Sequence, residues 1–246
     1  SFSHHSRFSM LDKKACLDGI NERLQTSSEW LRSRTNRLLV TFGTANVYRL
    51  KSTGEVVSNC HKMRDDLFVR ERLDVDTIFV HWKSLLEKLL ELNPLLKVVF
   101  TVSPIRHWKD GAHENQLNKS VLLLTINKLL RTFPEQTIYF PAYEIMLDEL
   151  RDYRFYAADM IHPSEVAVDY IWSRFGDSFF SKETFSLLKQ VENIRKALEH
   201  RPFSPQGEKY KQFLTQTLLK MERIHEKSPY IYPWSELEEL RIKIND

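Results

Sequence analysis

Helical hydrophobic patterns alternate with short apolar runs over the first part of the chain. Apolar side chains recur at helical spacing from near Asp12, over residues 74–92 and over residues 120–130. Each helical pattern is followed by an apolar run of strand length, at residues 37–43, 97–102 and 137–140. Such runs between helices are typical of buried parallel strands. The pattern therefore predicts an α/β domain whose parallel sheet is covered by helices on both faces.

Two further patterns extend this framework. Residues 46–50 and 55–57 flank a Ser-Thr-Gly turn and predict a β-hairpin. Beyond Phe180 the sequence becomes charged, and its helical patterns at 181–198 and 206–226 predict a helical hairpin that begins at a Ser181 N-cap. We therefore predict two domains, residues 1–180 and 181–246. The hairpin is expected either to pack on the first domain, to project from it, or to form a homo-oligomer contact.

Gly43, Thr44 and Asn46 follow the first predicted strand. They lie at the carboxyl edge of the sheet, which is where parallel sheets bind their ligands. Backbone N–H groups and an amide side chain at this position are suited to stabilise a developing oxyanion. A strand that simply ends in a glycine turn explains the same residues equally well.

Ser103, Arg106 and His107 follow the second predicted strand and are expected at the same edge. Arg106 is suited to hold a substrate carboxylate or phosphate, because a guanidinium binds such groups through two parallel hydrogen bonds. The alternative is that Arg106 forms an ion pair with a local acid such as Asp110.

Asp159 and His162 are separated by two residues and precede Pro163, which restricts His162 to extended backbone. A helix is predicted to begin at Pro163 or Ser164. An imidazole that takes a hydroxyl proton and a carboxylate that orients it are two of the three groups of a serine triad. Taken alone, however, the pair is also explained by Asp159 acting as a helix cap.

Composition narrows the function classes. The 246 residues carry 36 basic and 33 acidic side chains, and these are scattered, so we expect no nucleic-acid partner. No apolar run approaches the length of a membrane span, so we expect no membrane segment. Cys16 and Cys60 lack metal-type spacing, and the nine histidines contain no His-x-x-x-His pair, so no metal or cofactor is expected. The cytoplasm is the default compartment, and an export signal upstream of Ser1 is left open.

Six ordered segments together resemble the GSCFA family of the SGNH (GDSL-like) hydrolase superfamily. They are residues 40–45, 59–62, 102–107, 139–144, 148–156 and 159–163. The resemblance extends from the first residues to about residue 175 and leaves the C-terminal hairpin outside. It implies a flavodoxin-like, three-layer α/β/α sandwich and a serine ester hydrolase.

By this resemblance Asp159 is the orienting carboxylate, His162 is the general base, and Gly43 lies in the block that carries oxyanion donors. The superfamily uses Gly-x-Asn in that block, whereas this chain has one more residue before Asn46. His61, from the family-like segment 59–62, joins Thr44, Ser103, Arg106 and His107 as a pocket candidate. Cys60, next to His61, is a candidate thiol nucleophile. Side chains of sequence neighbours on an extended chain point in opposite directions, so Cys60 and His61 are not expected to form a catalytic pair.

The Gly-Ser-Cys-Phe-Ala block that gives the family its name does not occur in this sequence, and no Gly is followed directly by Ser. We therefore expect the nucleophile, with the first strand of the sheet, to lie upstream of Ser1, and this chain alone to be inactive.

The leading hypothesis is an acyl or acetyl esterase that acts on a small-molecule or carbohydrate ester. One alternative is a non-catalytic binding or interaction module on the same scaffold. Another is a lyase or phosphate-ester enzyme that uses Arg106 and His107. The first alternative predicts no Gly-Ser block upstream, and the second predicts anion binding that Arg106→Ala weakens.

Overall fold

The computed structural model describes residues 2–199 and 207–245. The chain divides into two compact units, Ser1–Ser173 and Arg174–Asp246. The first unit is α/β, with a parallel sheet of three strands, and the second is helical. The α/β class with a helical C-terminal region, predicted from the alternating patterns, is therefore confirmed, whereas the domain boundary at residue 180 stays a prediction.

The strands are β1 (Arg37–Phe42), β2 (Asn46–Leu50), β3 (Val56–Val57), β4 (Phe68–Arg72), β5 (Lys97–Val102) and β6 (Thr137–Tyr139). The helices are α1 (Lys13–Ser33), α2 (Val75–Leu92), α3 (Gly111–Thr132), α4 (Ala142–Glu144), α5 (Glu165–Phe179), α6 (Lys182–Glu199), α7 (Glu208–Lys227) and α8 (Trp234–Asn245). A π-helical turn, Ile145–Glu149, continues α4. Within the described ranges no helix combines the length and the apolar character needed to cross a bilayer.

Side-chain caps fix where the first helices begin. The Asp12 carboxylate accepts the Ala15 N–H at 2.7 Å, and the Asp74 carboxylate accepts the Thr77 N–H at 2.7 Å. These bonds satisfy N–H groups that have no partner inside the helix. The predicted starts of α1 and α2 are therefore confirmed. Helix α3 begins at Gly111 instead of residue 120, because two polar turns precede its apolar pattern.

The parallel sheet has the strand order β1–β5–β6. Leu38, Val40 and Phe42 of β1 pair in register with Val98, Phe100 and Val102 of β5. These side chains form a core with α2 and α3, in which Leu86 and Phe100 are fully buried. The Trp82 ring meets the Phe100 ring edge-on, with their centroids 5.5 Å apart. One face of the sheet is thus well packed, as the sequence predicted.

The opposite face is incompletely covered over β1. Leu39 is 56% exposed, whereas Val99, its partner in β5, is 3% exposed. Among the described residues only β5 pairs with β1, so the other edge of β1 is open. The prediction of a buried strand at residues 37–43 is therefore wrong, because alternate side chains of this edge strand face solvent.

A second, antiparallel sheet follows β1, with the strand order β3–β2–β4. The pairing of β2 with β3 confirms the predicted hairpin. Strand β4 lies on the other side of β2 and was not predicted, because its Phe-Val-Arg-Glu-Arg sequence alternates only weakly.

Among the described residues that follow α5, the C-terminal unit contains the helices α6, α7 and α8, where two helices were predicted. The Ser181 hydroxyl accepts the Thr184 N–H at 3.2 Å and confirms the predicted N-cap of α6. The predicted start of the second helix, at Gln206, lies outside the described residues. The core of this unit consists of Ile194, Leu214, Met221, Ile224, Tyr232, Leu237 and Leu240. Part of it comes from the unpredicted α8.

Candidate functional site at the carboxyl edge of the parallel sheet

The loop before α5 brings a carboxylate and an imidazole into direct contact. Asp159 Oδ2 lies 2.6 Å from His162 Nδ1. A carboxylate at this distance accepts the proton of Nδ1, so Nε2 becomes the basic ring nitrogen. The side chains of His162 and Asp159 are 56% and 46% exposed. The pair is therefore accessible to a reacting group.

The second oxygen of Asp159 is fixed by its own loop. Asp159 Oδ1 accepts the N–H of Ile161 at 2.9 Å and the N–H of His162 at 3.0 Å. These backbone bonds, followed by the bond to the imidazole, lower the pKa of Asp159 to about 2. The carboxylate is thus ionised at neutral pH.

Asp159 does not cap a helix. The hydroxyl of Ser164 caps α5, since it accepts the Ala167 N–H at 3.3 Å. The helix begins at Glu165, one residue after the predicted start at Pro163 or Ser164, and the cap interpretation of Asp159 is wrong. Its carboxylate instead orients the imidazole of His162.

Backbone bonds close the loop around this pair. The Ala157 N–H donates to the His162 carbonyl at 2.8 Å, and the Met160 N–H donates to the Ala157 carbonyl at 2.9 Å. Met160 has a φ of 61°, in the left-handed region that costs a residue with a side chain roughly 1 kcal/mol. The loop accepts this strain at the first of the two residues that lie between Asp159 and His162.

Arg106 joins the β5 loop to this loop. Its N–H lies 3.4 Å from the Ile161 carbonyl, and its guanidinium lies 3.5 Å from the Met160 carbonyl and 4.1 Å from the centre of the Tyr156 ring. Asp110 forms its ion pair with Arg70. The predicted pair between Arg106 and Asp110 is therefore wrong, and the guanidinium packs on aromatic rings beside the Asp159 loop.

Lys119 of α3 joins the ends of β1 and β5. It is 1% exposed, and its Nζ donates to the Gly43 carbonyl and to the Ser103 carbonyl, both at 2.7 Å. Burial lowers the pKa of Lys119 to about 8. The two strand ends predicted to face one site are thus held by a single ammonium group.

Two asparagines on the same face of α3 hold the neighbouring residues. Asn118 Oδ1 accepts the Thr44 hydroxyl at 3.2 Å, and Asn115 Oδ1 accepts the His107 N–H at 2.9 Å. His107 Nε2 lies 3.7 Å from the position that a Cβ on Gly43 would occupy. Burial, followed by the charges of Lys119 and Arg70, lowers the pKa of His107. Its imidazole is therefore neutral at neutral pH.

Asn46 and His61 have other partners. The Asn46 amide donates to the Thr44 hydroxyl oxygen at 3.3 Å, so its side chain supports the Gly43 loop. His61 lies in a left-handed turn with a φ of 52°, and its ring centroid is 5.8 Å from that of Phe2. No cluster of three or more His, Cys, Asp or Glu side chains suited to a metal ion occurs in the part of the chain that the structure describes.

Comparison with known families matches residues 1–175 to the GSCFA family. The chain belongs to the GSCFA family. Residues 191–246 match the C-terminal domain of GSCFA domain proteins. The match to the family model ends at residue 175, as the resemblance indicated, and the match of the C-terminal helices to a further domain of such proteins was not predicted. No curated protein and no solved structure matches the chain.

Three buried polar residues of this GSCFA chain were not predicted as part of the site: Asn115, Asn118 and Lys119. Their spacing of i, i+3 and i+4 places them on one face of a helix. That spacing was the available signal. It was missed because the helix was predicted to begin only at residue 120.

Proposed function

We propose that this GSCFA chain supplies the acid–base pair and the oxyanion site of a serine ester hydrolase of the SGNH type. Asp159 orients the imidazole, and His162 takes the proton of the attacking serine and returns it to the leaving alcohol. Backbone N–H groups after Gly43 stabilise the negative charge on the carbonyl oxygen of the tetrahedral intermediate. The substrate is a small-molecule or carbohydrate ester that carries an acyl or acetyl group.

The observation that carries this proposal is the 2.6 Å contact between Asp159 Oδ2 and His162 Nδ1. Two backbone N–H groups hold the other carboxylate oxygen, so the carboxylate is fixed before any substrate binds. The contact determines which imidazole nitrogen is basic, and this nitrogen is on the far side of the ring from Asp159.

We further propose that the serine is carried by a strand that pairs with the open edge of β1. A parallel strand there would continue the ladder of the sheet and end at the same carboxyl edge as Gly43. It would also shield Leu39, which is 56% exposed. A Gly-Ser sequence at the end of that strand would bring its hydroxyl to the edge where His162 lies.

The test is hydrolysis of short acyl esters by the natural protein that contains this chain. His162→Ala should lower kcat by several orders of magnitude, because the serine loses its base. His81→Ala is the matched control, since His81 is an exposed histidine on α2. Unchanged hydrolysis in His162→Ala would refute the assignment. A wild-type protein without hydrolysis would instead favour the non-catalytic binding module.

A further inference from the structure

Lys119 is a buried cation that has no carboxylate partner among the residues that the structure describes. Its side chain is 1% exposed, and its two hydrogen bonds go to the neutral carbonyl oxygens of Gly43 and Ser103. The titratable groups that face it are the Tyr143 ring, whose centre lies 5.8 Å from Nζ, and the neutral imidazole of His107. Within the described residues no acidic side chain forms an ion pair with Lys119. Its positive charge is therefore balanced only by dipoles.

Such an arrangement is costly for folding. Removing an ammonium from water carries a large penalty, and two carbonyl dipoles recover only part of it. An apolar side chain of similar length would fill the same space without this penalty. A charge placed here at the expense of stability suggests a role in the chemistry of the sheet edge.

The position of the two carbonyls indicates that role. A peptide unit is planar and trans, so the carbonyl of one residue and the N–H of the next point in opposite directions. When Lys119 holds the Gly43 carbonyl toward α3, the Thr44 N–H must point away from α3. The Thr44 hydroxyl is held toward α3 as well, by Asn118 at 3.2 Å. One helix thus fixes both the orientation and the position of the Thr44 amide.

We propose that Lys119 is a positioning residue that aims the Thr44 N–H at the developing oxyanion and adds a fixed positive charge behind it. This role rests on the proposed esterase function and deepens it. A donor aimed in advance stabilises the transition state more than the ground state, so its loss lowers kcat more than it raises KM.

The decisive variants are Lys119→Met and Lys119→Gln, measured for kcat and KM in the natural protein that contains this chain. Lys119→Met removes both the charge and the hydrogen bonds, and kcat should fall about a hundred-fold with KM changed less than about three-fold. Lys119→Gln keeps a donor for one carbonyl, so its kcat should fall less. Lys128→Met is the matched control, because Lys128 is a partly exposed lysine of the same helix.

The pH profile separates positioning by charge from a merely structural role. In the wild type, kcat should decline above about pH 8 as Lys119 loses its proton. Neither variant at position 119 should show this decline, whereas the Lys128 variant should retain it. If Lys119→Met does not fold, the Lys119→Gln profile decides alone.

Three results would overturn the role of Lys119 while leaving the esterase function intact. They are a kcat within about two-fold of wild type in both variants, a rise in KM at unchanged kcat, and an alkaline decline that persists in both variants. A wild-type protein that hydrolyses no ester would overturn the esterase function and this role together. The two failures are thus distinguishable.

Discussion

Lys119→Met should change how the stability of the protein depends on pH. The folded-state pKa of Lys119 is about 8, while its ordinary value is 10.5. Between these two values the unfolded chain binds more protons than the folded one. The contribution of Lys119 to the free energy of unfolding therefore increases with pH across this window, and Lys119→Met lacks this increase.

The magnitude follows from the same two values. At about 1.4 kcal/mol for each pKa unit, the full effect on the free energy of unfolding is about 3 kcal/mol. Roughly 2 kcal/mol of this effect should appear between about pH 7.5 and pH 9.5, a range in which unfolding can be measured. Lys119 is 1% exposed, so solvent screening reduces this effect little.

Urea unfolding of wild type and variant at several pH values measures this difference. The free energy of unfolding of the wild type, minus that of Lys119→Met, should rise steadily over the range. The subtraction removes the titration of the groups whose pKa Lys119 does not alter. Lys128→Met serves as the control for the loss of a lysine from α3. A difference that stays constant within about 0.5 kcal/mol would refute the burial of a charged Lys119.

Three further predictions test other parts of the structure. Asp159→Asn should lower kcat for ester hydrolysis by about ten-thousand-fold, because the amide no longer fixes the reactive tautomer of the imidazole. Steady-state kinetics of ester hydrolysis measure this fall in kcat. Arg106→Ala should lower the free energy of unfolding by about 1 kcal/mol, because its guanidinium loses the contact with the Tyr156 ring. Arg151→Ala, at an exposed arginine, is the control. Equal free energies of unfolding for the two variants in urea titration would refute this contribution. Leu86→Ala should lower the free energy of unfolding by about 3 kcal/mol, because Leu86 is fully buried. Leu85→Ala should lower it by less than about 1 kcal/mol, because Leu85 is 43% exposed. Thermal and urea unfolding measure both values.

Strong local patterns made most of the first unit predictable. The apolar runs around Val40 and Phe100 marked β1 and β5, and Asp74 marked the start of α2, because each signal is confined to neighbouring residues. The sheet edge could then be derived from topology, since parallel strands end on one side. The pairing of Asp159 with His162 was predicted from their spacing before Pro163 and from the family resemblance, and the structure shows their contact.

Other features depend on contacts between distant parts of the chain. Lys119 lies 76 positions from Gly43 in sequence, so nothing near either residue indicates that they bond. The exposure of Leu39 depends on which strand lies beside β1, and an apolar run alone does not reveal this. The ion pair of Asp110 with Arg70, in place of Arg106, likewise depends on how the second sheet lies beside α3.

Helix α8 was missed for a different reason. Its Trp-Ser-Glu-Leu-Glu-Glu-Leu-Arg sequence follows an aromatic segment that was interpreted as a tail. The helix buries Leu237 and Leu240 against α6 and α7, so it needs tertiary contacts to be stable. A short helix of this kind is hard to predict from periodicity alone.

Labelling by a fluorophosphonate tests the central claim most directly, because this reagent reacts only with a serine whose proton a neighbouring base removes. In the natural protein that contains this chain, we predict that one serine is labelled and that it follows a Gly in a strand next to β1. His162→Ala should abolish the labelling, and His81→Ala should not. Equal labelling in wild type and His162→Ala, or no labelled serine in the wild type, would contradict the assignment of Asp159 and His162.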